Sequence, residues 1–135
     1  MTQWPIVRTS LLLLGAAAAL YLTVIHYSAS SPFGCPQTVE VNCTKVLTSP
    51  ESVWLGLPVS LYGALWFLTG LLVTCKDCHI PPYLVWIWLS VGVLAVLFLI
   101  YQEFWVIQTI CLWCTLLHLV ILTLFVGDTL WTQAN

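Results

Sequence analysis

Charge is what this sequence most lacks. Of its 135 residues, three are Lys or Arg and five are Asp or Glu, for a net charge of -2. Soluble domains carry about 25% charged residues, so a water-facing globule is excluded at the 6% found here. Three basic side chains offer no footprint to a phosphate backbone, and no nucleic-acid partner is expected. Polar sequence is scarce too, with one long stretch between Tyr27 and Pro58.

Hydrophobic residues make up 61% of the chain and come in long runs. Leu11 to Ile25, Val59 to Thr74, Tyr83 to Gln102 and Cys111 to Gly127 carry no charged residue, His118 being the one titratable imidazole among them. With flanks such as Trp4 to Ser10 and Trp54 to Pro58, each run reaches the roughly 17–25 residues that cross a bilayer core. Trp4, Tyr27, Trp54, Tyr83, Tyr101, Trp105 and Trp131 sit near run ends, as an interfacial belt does. The expectation is an all-α integral membrane protein, a single-domain four-transmembrane-helix bundle with approximate spans 6–27, 57–75, 82–104 and 110–131 and an outer loop 28–56. The first run also has signal-peptide features, Arg8 before an apolar core and a small-residue "SAS" at 28–30, but is expected to be retained as a span.

In four spans, Arg8 and Lys76 share one side and Lys45 lies on the other, which favours an extracytoplasmic, periplasmic or ER-lumenal, outer loop. Within that loop Ser49-Pro50-Glu51 reads as a helix start, with Ser49 as cap and Pro50 at the first helical position. The following "SVWLGLP" then predicts a short lid helix on the membrane surface, stopping at Gly56 and Pro58.

Counting crossings sorts the six cysteines. Cys35, Cys43, Cys111 and Cys114 fall on the loop's face of the membrane, and Cys75 and Cys78 on the opposite face. "CKDCH" at 75–79 has the spacing of a c-type haem attachment site, but its position on the reducing side predicts a tight turn with reduced or incidental cysteines. A zinc site from the other four is not expected, because the spacing of Cys35 and Cys43 is unlike that of zinc ligands, so no metal is assigned. "NCT" at 42–44 is formally a glycosylation sequon, beside a cysteine expected to be working.

Cys111, Cys114 and His118 follow one another at three and four residues, so they form one stripe on the fourth helix. Cys111 opens that helix, where exposed N–H groups and the dipole favour a thiolate. His118 lies about 10 Å deeper at roughly 1.5 Å of rise per residue. Such a row suits thiol–disulfide exchange at the surface, coupled to a membrane-dissolved electron acceptor below. His26 reads as interfacial, and Glu103 as an ordinary solvated turn residue, with a base near Cys111 as its alternative.

The segment "NCTKVLTSPESVWLGLPVSLYGALWF" at 42–67, together with "CLWC" at 111–114 and the Cys35–Cys43 spacing, resembles the vitamin K epoxide reductase family. Order, spacing and span count agree over essentially the whole chain. The resemblance implies a four-helix bundle around a quinone, capped by the cysteine loop. By position, Cys35 and Cys43 match the loop pair that takes electrons from a reduced thioredoxin-fold partner. Cys43 then exchanges with Cys111, and Cys114 delivers electrons to the quinone. Ser49 matches a serine recurrent in the lid, and His118 falls where animal members carry a quinone-bonding tyrosine. Val59 stands where they carry an asparagine donor.

The function expected on these grounds is that of a membrane thiol–disulfide oxidoreductase supporting disulfide bond formation, its acceptor a menaquinone, ubiquinone or vitamin K quinone or epoxide. The chain is expected to act as a monomer with a separate thioredoxin-fold protein as partner. The alternative from another class is a non-catalytic membrane scaffold or subunit whose loop cysteines form a structural disulfide.

Overall fold

The computed structural model describes residues 3–135. It is mostly helical. The first helix, α1 (Trp4–Ser28), has Pro5 in its first turn, where a missing N–H costs nothing, and ends at Ala29 in the left-handed region. The loop that follows folds into a short helix, α2 (Cys43–Leu47), a 3-10 turn at Pro50–Ser52, and a hairpin of β1 (Val53–Trp54) and β2 (Leu57–Pro58). Three further helices complete the chain: α3 (Val59–Val73), α4 (Pro82–Tyr101), which continues into a π-helical turn at Gln102–Ile107, and α5 (Leu112–Ala134).

The lid differs from the one expected. Its helix lies earlier, at 43–47, where Asn42 accepts the Lys45 amide at 3.0 Å as an N-cap. Ser49 starts only a single 3-10 turn and spends its hydroxyl on the Val46 carbonyl at 2.7 Å. "SVWLGLP" is not a helix, because Leu55 and Gly56 both take positive φ and turn the chain back on itself. Val53 then faces Pro58, and Trp54 faces Leu57.

Three segments are long and apolar enough to cross a membrane: Trp4–Ser28, Pro82–Ile107 and Leu112–Ala134. The expected span 57–75 is only partly helical. Pro58 and Leu57 belong to β2, Thr74 caps the C-terminus, and α3 keeps 15 residues.

α1 packs against α3 and α5, and α4 packs against α5 and more lightly against α3, which closes a ring of four helices. Its centre is built from Leu12, Phe67, Leu89 and Leu124, all fully buried. Gly15 faces the Phe67 ring so closely that a side chain there would clash, which lets α1 and α3 approach. Trp66 and Trp88 stack at 4.1 Å between α3 and α4. Each indole N–H donates to the other residue's backbone carbonyl at 3.0 Å, so neither donor is left unpaired away from water.

The two ends of the ring are chemically distinct. At one end Arg8 donates to Asp128 at 3.1 Å and to the Thr74 carbonyl at 3.3 Å, joining α1, α3 and α5. At the other end the loop pairs with the chain entering α5. The Ile110 amide donates to the Glu40 carbonyl at 2.8 Å, and the Asn42 amide to the Ile110 carbonyl at 3.0 Å.

Candidate functional site

The parallel bridge of Val41 to Ile110 sets the position of the site. Cys111 directly follows one paired residue, and Cys43 stands two beyond the other. Both are buried in one apolar cluster with Leu22, Ile25, Val46 and Leu47, and Cys35 and Cys114 pack against it. Cys35 and Cys43 are joined as a disulfide with their Cα atoms 6.1 Å apart, while Cys111 and Cys114 are free thiols. The Cys35 end is held by Trp113, whose indole donates to the Phe33 carbonyl at 2.8 Å, and by Tyr21, whose hydroxyl accepts the Phe33 amide at 3.0 Å.

Cys111 is the N-cap of α5. Its backbone is extended, and its sulfur accepts the Cys114 amide at 3.2 Å. A sulfur so placed satisfies one of the N–H groups that the first turn of a helix leaves without a partner. Cys114 lies one turn further along and borders a cavity below the lid.

All four long helices and the lid contribute to that cavity: Leu22 and His26 from α1, Val46 and Leu47 from α2, Val59 and Phe67 from α3, Leu99 from α4, and Leu117 and Ile121 from α5. His118 reaches it from α5, buried, and its ring takes no hydrogen bond from any described residue. His26 also faces the cavity, but its Nδ1 pairs with the Leu47 carbonyl at 2.6 Å. Ser49 lies outside the cavity wall; Glu51 and Ser52 of the same turn line it instead.

Two further polar residues come from the π-helical turn after α4, a device that recurs at functional sites. Gln102 lines the cavity, and its buried Oε1 has no partner among the described residues. Glu103 lines it too and is buried, not solvated as the sequence reading expected. Its Oε2 accepts the Cys111 amide at 3.3 Å, and its backbone carbonyl accepts the Thr109 amide at 3.1 Å. This doubling back of the chain buries the side chain, and Gln108 in the left-handed conformation makes the reversal possible. The signal in the sequence was the carboxyl itself, standing in an apolar run eight residues before Cys111.

Cys75 and Cys78 lie at the far end of the ring, by the Arg8–Asp128 contact and away from the other four cysteines. They are joined as a disulfide, which corrects the expectation that they stay reduced and leaves the other, that they are incidental, as it stood. The reason is local: the 3-10 turn at Lys76–Cys78 stacks residues three apart and brings the two Cα atoms to 5.4 Å. Among the described residues, no cluster of His, Cys, Asp and Glu is arranged to hold a metal ion.

Comparison with known families finds a match to the vitamin K epoxide reductase family over residues 6–129. No curated protein matches the chain.

Proposed function

The chain belongs to the vitamin K epoxide reductase family, and from that premise we propose that it carries two electrons from a reduced thioredoxin-fold protein to a quinone. The family makes it a membrane oxidoreductase acting on thiols. The four-span arrangement, the extracytoplasmic position of the lid, and the identities of partner and acceptor are our reading.

One observation carries the proposal: an oxidised loop pair, Cys35–Cys43, is clipped beside a reduced pair, Cys111 and Cys114, and the second of these opens onto an apolar cavity. A quinone fits that cavity's chemistry. Its walls are mainly aliphatic; the unspent His118 ring can donate to a quinone oxygen, and the unpartnered Gln102 Oε1 can accept from a hydroquinone hydroxyl. When bound, the quinone would supply the two-electron acceptor chemistry that thiols lack.

The protein's own residues supply the rest. A partner thiolate attacks the loop disulfide, and a second exchange leaves the partner oxidised and Cys35 and Cys43 reduced. In the next exchange the Cys43 sulfur attacks a Cys111–Cys114 disulfide at Cys111, with Cys114 leaving as a thiolate beside the cavity. Cys35 then resolves the Cys43–Cys111 bond, which restores the loop disulfide and yields the pair of free thiols seen in the structure.

The test is Cys114→Ala. It is expected to abolish quinone-dependent oxidation of a reduced thioredoxin-fold protein and to accumulate a Cys43–Cys111 linkage, formed as the Cys111 thiolate attacks the loop disulfide at Cys43 and Cys35 leaves as a thiolate, detectable by non-reducing peptide mapping. Full activity with both Cys111→Ser and Cys114→Ser would end the relay reading.

A further inference from the structure

Glu103 is the ionisable side chain that the relay leaves without work. It enters the apolar wall from the π-helical turn, bonds the Cys111 amide through Oε2, and takes no hydrogen bond on Oε1 from any described residue. The ion pair among the described residues, Arg8 with Asp128, lies at the other end of the ring. An ionisable group kept inside a membrane bundle without a charge partner is costly, and a glutamine would accept the same amide proton without that cost.

We propose that Glu103 is the proton carrier of the cysteine pair, taking up the thiol protons of Cys111 and Cys114 and passing them into the cavity. The proposal rests on the relay reading above. Two thiols joining as a disulfide lose two electrons and two protons, and a quinone becoming a hydroquinone gains two of each. For each proton an S–H bond breaks and a Glu103 O–H bond forms; that O–H then breaks as the proton moves to a quinone oxygen. Glu103 ends as the carboxylate that began.

The other titratable groups facing the same space are placed differently. His118 lies one turn beyond Cys114 on α5, His26 of α1 has its Nδ1 committed to Leu47, and Glu51 belongs to the lid turn. None of them bonds either cysteine, whereas Glu103 holds the residue that gives up a proton.

The experiment compares wild type with Glu103→Gln and Glu103→Asp in the full-length protein, in detergent. The first readout needs no quinone: the rate at which N-ethylmaleimide alkylates Cys114 in the reduced protein, followed against pH. Wild type and Glu103→Asp are expected to show an inflection from the carboxyl in addition to that of the thiol, and Glu103→Gln the thiol inflection alone. The second is single-turnover reduction of decylubiquinone by the dithiothreitol-reduced protein, expected to fall roughly 100-fold in Glu103→Gln, the lower range for loss of a general base, and to recover in part in Glu103→Asp. Wild-type alkylation and turnover profiles in Glu103→Gln would overturn the proposal. Should that variant fail to fold, an alkylation profile in wild type with a thiol inflection alone overturns it equally. Loss of quinone reduction in Cys114→Ala with a full rate in Glu103→Gln removes the carrier and keeps the relay; a full rate in Cys114→Ala removes the relay itself.

Discussion

Arg8 and Asp128, 120 residues apart in sequence, form a partly buried ion pair at 3.1 Å on the end of the bundle opposite the loop cysteines. The same carboxylate oxygen accepts the Trp4 indole at 2.6 Å, so one atom ties the start of α1 to the end of α5. Asp128→Ala strands the guanidinium in an apolar setting and is expected to cost on the order of 3–5 kcal/mol, whereas replacing both partners with apolar residues of similar volume is expected to recover most of it. Thermal unfolding of the two variants in detergent, against wild type, checks this.

The Asn42 side chain caps α2 and its amide bonds Ile110, so it positions Cys43 from two directions. Asn42→Ala removes the cap alone and is expected to cost about 0.5–2 kcal/mol locally. The readout is the exchange between the loop pair and Cys111 in a rapid-quench assay. It should slow while alkylation of Cys114 stays at the wild-type rate.

His118 has an unspent ring facing the cavity. His118→Phe is expected to raise the KM for decylubiquinone by up to roughly tenfold, the equivalent of one net hydrogen bond of about 0.5–1.5 kcal/mol. Exchange with the partner thiol should be unchanged. Steady-state kinetics with the two substrates varied separately tell the effects apart.

Cys75 and Cys78 close a loop of four residues far from the relay. Replacing both with serine is expected to leave quinone-linked turnover within about twofold and to lower stability by at most about 2 kcal/mol, as a loop this short implies. A large loss of turnover in the double variant would mean that electrons also pass through that end.

Some of this was legible from residue order alone. The charge-free runs announce α1, α4 and α5, and the three-and-four spacing of Cys111, Cys114 and His118 announces one helical stripe. The lid was misread at "SVWLGLP" because the sequence signals a stop at Gly56 but not that Leu55 before it also takes positive φ. Glu103 was misread because its burial depends on a tertiary reversal at Gln108 that returns the chain to Cys111. Local pattern carries no information about that approach. The Cys75–Cys78 bond was missed for a different reason: membrane side was used to judge its oxidation state, while the geometry that allows the bond is a single tight turn.

The paired indoles of Trp66 and Trp88 also fix depth. With each N–H on the opposite backbone, α3 cannot slide along α4 by even one residue without losing both bonds. Its 15 residues span about 22 Å, against a hydrocarbon core of about 30 Å. If α3 crosses the bilayer, as the four-span reading has it, a helix latched in this way cannot tilt independently of α4, and the shortfall is expected to be met by thinning of the lipid along the α3 flank.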